Sequence, residues 1–404
     1  MLPTQRRIAY IHTQPFGAYE AGTVFVANTA RGIAEAGAQS LLIAPDFGES
    51  ADGVLEQIGL TPHPDLRIEL PRGVRMELGP LRPSWSGPFR RGAIALAREF
   101  KADTVICRDL RMAKMLIADR YPGCVLYEMH NVYTLGEESA AEEYFSARKL
   151  KRHRSRIPLE KKVLAHVHGV ITLTHGLGQM LAQRHPVEGR VLAAGSACRP
   201  LANPPIAADR RHIAYVGALD PHKGVGNLIR SLDRLPEEAR LMVFGKGSGV
   251  DTLRDLAATH GVAERVEFAG FVKPAALPTH LARCRAGVVP LVDIFFNRYV
   301  SSPMKVFDYL ASGVPPVVPD LPVFREIFED SSPAVFFKAG DDDSMVAAIG
   351  SLFEDDATFR RRHLAALHHA AAWTWRHRAE KILDFSANLP LRPERKPQGP
   401  RSAR

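Results

Sequence analysis

Lys305 and Asp308 stand three residues apart in the segment Ser301–Gly313, SSPMKVFDYLASG, a cation and an acid in an otherwise apolar stretch with helical spacing. The Ser-Ser-Pro opening predicts a helix start, because serine can cap free N–H groups and proline suits the first helical position. Gly313 predicts the stop, and the following VPPVV reads as a buried strand. A helix N-terminus at the mouth of a sheet is a ready anion site. Ser302, Met304 and Lys305 at that end are therefore candidate anion contacts.

A second cation occurs in HIAYVGALDPHKGVGNLIRSL. Strand, Gly217, a short loop and then Lys223-Gly224 opening a helix place Lys223 at a strand's carboxyl end. A lysine there neutralises phosphate as a point charge; the plain alternative is a surface lysine on a loop. The glycines Gly245, Gly247 and Gly249 follow another strand as G-x-G-x-G, which differs from the dinucleotide G-x-G-x-x-G and reads equally as a tight turn. The chain has no G-x-x-x-x-G-K-[ST], which disfavours a P-loop ATPase. Nearer the start, Gly17 and Gly22 bracket GAYEAG, a loop whose backbone N–H groups could approach phosphate. VLYEMHN places Glu128, His130 and Asn131 at a strand's end, and Arg108 ends the preceding strand candidate in position to reach the same cleft. A lone histidine is more often structural than catalytic.

These residues need strands and helices to hold them. RIAYIHT, AQSLLIAP, ADTVICRD, CVLYEMHN, GVITLTHG and RVLAAGSA read as strands with helical sequence between them. The alternation predicts a parallel, doubly wound α/β sheet over residues 1–200. A linker over 201–211 lies in the proline-rich CRPLANPPIAADRR. The pattern then restarts over 212–372 with HIAYVGAL, ARLMVFGKG, RVEFAGF and CRAGVVPL as strands. Two such halves predict two facing Rossmann-like domains, with ligands in the cleft at the strands' carboxyl ends. WTWRHRAEKILDF, within 373–388, reads as a last amphipathic helix, and the basic 389–404 as a disordered tail.

The bulk properties agree with a soluble globular chain of 404 residues, 46% hydrophobic and 24% charged. Four scattered cysteines give no disulfide framework and no zinc signature, which fits a cytoplasmic setting. A net charge of +9 favours an anionic partner without choosing one.

With these motifs in view, the sequence resembles the nucleotide-sugar-dependent glycosyltransferases of family 4, from Ile8 to about Leu352. SSPMKVFDYLASGVPPVV is similar to their Ser-Pro-x-Lys-x-x-Glu-Tyr form, and VGALDPHKG to their V-G-R-L-x-x-x-K-G, with Ala218 in place of the arginine. The resemblance implies a GT-B fold, two Rossmann-like domains with the last helix crossing back to the first domain. It implies transfer of a sugar from a nucleoside diphosphate donor to an unknown hydroxyl acceptor, with retention and with no bound metal or other cofactor. Lys223, Lys305 and Gly217 would hold the diphosphate. Gly245 would lie beside the nucleotide, Phe271 and Val272 would offer backbone groups to the base, and His130 would face the donor sugar. The family's two acids, separated by seven residues, fall on Val300 and Asp308. Only Asp308 could accept ribose hydroxyls.

The basic run Arg148–Lys162 holds eight Lys/Arg and one Glu. It reads first as a solvated face, next as peripheral contact with an anionic membrane at its inner face. Nucleic acid comes last, since no recognition motif accompanies the charge. A glycan or a lipid-linked acceptor fits the family. Two rivals share the fold: a nucleotide-sugar epimerase, and a non-catalytic relative that binds a nucleotide sugar, which Ala218, Val300 and Asp308 keep open.

Overall fold

A computed structural model of the chain describes residues 5–390 apart from 15, 17–20, 47, 49, 72–85, 136–146, 205–209, 221–222 and 330–331. Gly17 and the expected basic tail beyond residue 390 lie outside the described residues.

The first half forms β1 (Arg7–Ile11), β2 (Gln39–Ile43), β3 (Leu66–Glu69), β4 (Thr104–Cys107), β5 (Cys124–Met129), β6 (Gly169–Thr172) and β7 (Val191–Ala193). They make one parallel sheet in the order β3-β2-β1-β4-β5-β6-β7. The second half forms β8 (His212–Val216), β9 (Arg240–Phe244), β10 (Val266–Gly270), β11 (Cys284–Val288), β12 (Pro316–Pro319) and β13 (Val335–Phe337), again parallel, in the order β10-β9-β8-β11-β12-β13. Each sheet is doubly wound and reverses its order at one place, β1/β4 in the first and β8/β11 in the second. Helices cover both faces, so the central strands are mostly apolar and buried, and each domain has a core cluster on either side of its sheet. The edge strands β3 and β13, short and only partly buried, escape the sequence reading.

The last helix, Trp375–Asn388, crosses back and packs on the first helix, Ala21–Glu35. Contact is close enough that a Cβ on Gly32 would lie 2.4 Å from the Trp375 carbonyl oxygen. Three polar contacts also join the domains. The Thr174 hydroxyl donates to the Tyr299 carbonyl. Ser302 Oγ accepts from the Ser196 backbone N–H at 2.8 Å, and Ser196 Oγ donates to the Ser302 carbonyl at 2.6 Å. The Glu326 carboxylate accepts the His175 and Gly176 N–H groups at 2.7 and 2.8 Å, at the start of helix His175–Arg184.

One local expectation is corrected. The helix anticipated from Ser301 runs Met304–Ala311, with Pro303 outside it as the N-cap in extended geometry and no side-chain cap. Ser302 is spent on Ser196 across the domain boundary, so its hydroxyl does not reach the helix's free N–H groups.

Candidate functional site

The two places where strand order reverses face the same cleft, where open α/β sheets bind ligands. On the C-terminal side, the helix Met304–Ala311 is pinned by its own Tyr309. That fully buried side chain accepts from the Val216 N–H at 3.0 Å and lies 3.3 Å from the Ala214 carbonyl oxygen, at the end of β8. The anchor sets the helix one way round, and Lys305, one turn earlier, points at the β8 loop. Its ammonium lies 3.9 Å above the Tyr215 ring centre, and a Cβ on Gly217 would sit 2.9 Å from Nζ. Lys223 approaches from the same loop, near enough that its charge opposes protonation of Lys305.

Neither lysine forms an ion pair among the described residues. Burial, then Lys223, pushes the half-buried Lys305 ammonium down to about 7, with Asp308 resisting. Burial lowers Lys223 as well, against the pull of Asp220. Asp308 is pushed up to about 7 by burial, with Lys305 opposing. Two cations and an acid are thus gathered in one region, none of them in an ion pair among the described residues. Such an arrangement has the chemistry to hold an anion and a hydroxyl.

Gly245 carries a different message from the expected one. Its φ is +152°, and a Cβ there would lie 1.8 Å from the Gly217 carbonyl oxygen. This glycine lets the β9 turn press against the β8 loop that carries Gly217, which accounts for it without any nucleotide. Phe271, at the end of β10, is exposed, with the Lys246 ammonium 5.4 Å from its ring centre, while Val272 packs into the domain core. Met304 turns toward the other domain and packs on a small cluster of Phe25, Ala197 and Trp375. Val300, where the family's first acid would fall, is fully buried in the core of the N-terminal domain.

On the N-terminal side, register sets the site. Ile11 pairs with Cys107 and Cys107 with Tyr127, so His12, Arg108 and Glu128 follow side by side on β1, β4 and β5. Glu128 is completely buried and has four partners: the Arg378 guanidinium of the crossing helix, the Tyr10 hydroxyl, His130 Nε2 at 3.0 Å and Arg108 at 3.9 Å. Burial alone would raise its pKa, but Arg378, His130 and Arg108 overcome that and hold it well below the usual carboxylate range. Arg378 also donates to the Gly195 carbonyl at 2.9 Å and to Thr29 at 3.2 Å.

His130 stands edge-on to Phe25, ring centres 4.9 Å apart. Burial and the neighbouring Arg108 push it down to about 4 although Glu128 resists, so it is neutral near pH 7. Asn131 beside it is exposed. Gly22 meets Arg108, whose Nη1 lies 3.4 Å from the Gly22 carbonyl oxygen.

The structure therefore brings Gly22, Arg108 and His130 to one wall of the cleft, and Gly217, Lys223, Lys305 and Asp308 to the other. The Ser302 hydroxyl and the Met304 side chain make contacts between the domains, and the Val272 side chain packs in the core. Sequence reading missed Arg378, Phe25, His12 and Glu326, and took Glu128 only as part of a strand end. An acid inside the apolar run VLYEM is a legible anomaly. Arg378 is one of several bases in WTWRHRAEK and has no distinguishing mark.

Two family models match the chain. The one described as Glycosyltransferase Family 4 matches residues 22–193, and the one described as Glycosyl transferases group 1 matches residues 202–366. The chain is 30% identical over 189 residues to a D-inositol 3-phosphate glycosyltransferase of Nocardia farcinica, covering 44% of this chain and 40% of that protein. It is 29% identical over 183 residues to a GDP-mannose-dependent alpha-(1-6)-phosphatidylinositol monomannoside mannosyltransferase of Mycolicibacterium smegmatis, 44% of this chain and 48% of that one. The matches thus span under half the length of these curated relatives. Among solved structures, the chain resembles a sucrose-phosphate synthase from Thermosynechococcus elongatus with a TM-score of 0.72 at 16% identity, covering 95% of this chain and 98% of the other. It also resembles Anabaena Alr3699/HepE in complex with UDP and glucose, with a TM-score of 0.70 at 15% identity, covering 95% and 100%.

Proposed function

This chain belongs to the family 4, group 1 glycosyltransferases and has the GT-B fold, and we propose on that footing that it moves a sugar from a nucleoside diphosphate donor to a hydroxyl acceptor, with retention of configuration, in glycan or glycolipid synthesis. The observation that carries the reading is the convergence of Lys223 and Lys305 beside Gly217 with no ion pair to either among the described residues. A diphosphate supplies the missing charge. As the donor's glycosidic bond breaks, negative charge grows on the leaving phosphate. In this reading the two ammonium groups and the N–H groups of Met304–Ala311, which have no side-chain cap, stabilise that charge in the role a divalent cation plays elsewhere.

Asp308 accepts ribose hydroxyls in this reading, its reach shorter by one methylene than a glutamate's. Neutral His130 hydrogen-bonds the donor sugar, and the leaving phosphate oxygen takes the proton from the acceptor hydroxyl on the same face. Relatives are named for UDP, UDP-glucose or GDP-mannose, which supports a nucleotide sugar as donor without choosing the base. The basic segment Ala147–Arg154 and the following helix offer an anionic membrane a charged surface, suited to a lipid-linked acceptor and a peripheral location at the inner face. No helix among the described residues is long and apolar enough to cross a membrane.

A thermal-shift screen over UDP-, GDP- and ADP-sugars tests the donor class, since a ligand that binds the native state raises the melting temperature by mass action. Lys223→Ala should erase the shift that the best donor gives; a shift of undiminished size would remove the lysine from the site. A non-catalytic reading rests on Val300, whose burial leaves no acid at the family's first position. It predicts donor binding with no turnover on any glycan or lipid extract, whereas an epimerase would form product with no acceptor present.

A further inference from the structure

Two buried carboxylates hold the end of β5 from opposite faces. Side chains alternate along a strand, so Glu128 shares one face with Leu126, toward Tyr10 and Arg378, while Tyr127 and Met129 lie on the other, in the core shared with helix Ile157–His166. Glu160 of that helix is fully buried on the second face. Its Oε2 accepts the Tyr133 and Thr134 N–H groups, each at 2.7 Å, in the loop that follows His130. The two acids differ in their partners. Glu128 has two guanidinium groups and is held well below the usual carboxylate range. Glu160 has no ion pair among the described residues, and burial pushes it up to about 7 against the hydrogen bonds of Tyr133 and Thr134.

The basic run clasps the same loop. The Arg156 guanidinium donates to the Tyr133 hydroxyl at 2.5 Å and its carbon lies 5.3 Å from that ring's centre, while the His153 ring centre lies 4.9 Å from it. Residues 153, 156 and 160 thus turn inward from a segment whose Arg152, Arg154, Lys161 and Lys162 are exposed, so the run is a solvated face on one side only. The other titratable groups around Glu160 hold their charge state near neutrality. Burial, with Glu160, keeps the Tyr127 phenol protonated, and burial, Arg156 and Arg154 push His153 down. On helix Leu110–Ala118, which packs on Ile157–His166, Arg111 and Lys114 are exposed, and Asp109 at its start is paired with Arg90 at 2.9 Å. Glu160 is therefore the group on this face that changes charge near pH 7.

We propose that Glu160 is a positioning residue for His130 and Asn131: its ionised carboxylate grips the Tyr133 and Thr134 N–H groups and so sets the end of β5 toward the cleft, and uptake of a proton loosens that grip. An N–H bond to a carboxylate is roughly twice as strong as one to a neutral acceptor, so the proton weakens the hold without abolishing it. Glu128 fixes the His130 ring through Nε2 while Glu160 fixes the backbone that follows, and the ring's place in the cleft depends on both. The inference rests on the transferase reading for the task His130 performs there, and on the geometry alone for the coupling of Glu160 to His130.

The test is a pH titration of the whole chain by NMR through neutrality. It follows the Tyr133 and Thr134 amide protons and the His130 ring Cε1–H, the last assigned by its loss in His130→Gln. His130 itself stays neutral there, since it is pushed down to about 4. All three signals should move together with a midpoint near 7, and Glu160→Gln should flatten all three. In that variant kcat should fall about tenfold or more, the cost of a small displacement of a positioned group, while affinity for UDP or GDP, which belongs to the opposite wall, stays as in the parent. Should Glu160→Gln fail to fold, Glu160→Asp, one methylene shorter, takes its place and should move the shared midpoint of all three signals. A His130 signal that stays still while the amides move, or that titrates unchanged in the variant, overturns the proposal, as does an undiminished kcat. Absence of turnover in the parent with every donor and acceptor would count against the transferase reading and leave the His130 signal to decide this one.

Discussion

The two walls of the cleft handle charge in opposite ways. On the N-terminal wall, Glu128 is closed by four partners from four separate segments, one of them the crossing helix, and is ionised before any ligand arrives. On the C-terminal wall, Lys305 feels both Lys223 and Asp308 with no ion pair among the described residues, and all three are driven toward their neutral forms by burial. The first wall is finished by the fold and should be costly to disturb in the empty protein. The second is finished only by a ligand and should be cheap to disturb until one binds. Preorganised donors on one side and an unmet demand for anion on the other suit a site where charge develops on one bound group.

The largest effect expected follows from breaking the finished wall. Arg378→Met leaves the Glu128 carboxylate buried without its main counter-ion, a change that typically costs ~3–5 kcal/mol. The melting temperature should drop clearly, and Glu128→Gln added to Arg378→Met should recover much of the loss, because an uncompensated charge is then removed. Native-like stability of Arg378→Met would mean that the two walls do not differ as described.

The unfinished wall should respond the other way round. Lys305→Met removes a half-buried, unpaired cation, so the empty protein should be as stable as the parent or more so. Affinity for the nucleotide sugar should nevertheless fall by ~1.5–3 kcal/mol, the usual worth of a charge-assisted hydrogen bond. Calorimetric titration and thermal melting on one preparation give both numbers. Ala218 is exposed at the start of the β8 loop, so Ala218→Arg should restore part of the binding lost in Lys305→Met, if a cation in that region is what the site needs.

How much of this was legible beforehand divides along the same line. The β-α alternation, the two domains and the glycine-to-lysine spacing at Gly217 and Lys223 are local patterns, and chain order alone displays them. Lys305 and Asp308 were visible because polar residues stand out in an apolar helix. The Glu128 network was not, because its partners come from residues 10, 108, 130 and 378 and meet only when strand register and the crossing helix place them together. Ser302 misled for a related reason. A serine before a proline is a good helix cap in isolation, but here a contact across the domain boundary competes for the same hydroxyl.

A smaller effect is the pH dependence of donor binding. Lys305 is lowered to about 7 in the empty site, and a bound diphosphate must raise it again because it favours the ammonium. Binding therefore takes up a proton above pH 7. Affinity for a nucleotide sugar, whose own phosphates do not titrate in this range, should be level below about pH 6.5 and decline toward pH 9. Lys305→Arg, which stays charged throughout, should flatten the decline. A profile that rises with pH would point instead to Asp308, which is raised to about 7 and becomes an ionised acceptor above it.

The smallest effect belongs to the join between the walls. Glu326 sits on the C-terminal domain, yet its carboxylate takes the first two free N–H groups of helix His175–Arg184 on the other domain, while Thr174 caps Leu177 at 3.2 Å. A negative charge at a helix N-terminus is typically worth ~0.3–1 kcal/mol, more when partly buried. Glu326→Gln keeps the shape and one acceptor oxygen but removes the charge, so the melting temperature should fall by only a degree or two. The more telling readout is how the walls communicate. If Glu326 holds the domains at the spacing both sites require, Glu326→Gln should weaken the donor even though Glu326 belongs to neither wall's set of charges. The loss should be additive with Arg378→Met, whose network is separate, and coupled to Ser302→Ala, whose contact spans the same boundary. Full donor affinity in Glu326→Gln would show that the spacing is set without this carboxylate, by the crossing helix and the Thr174 and Ser302 contacts.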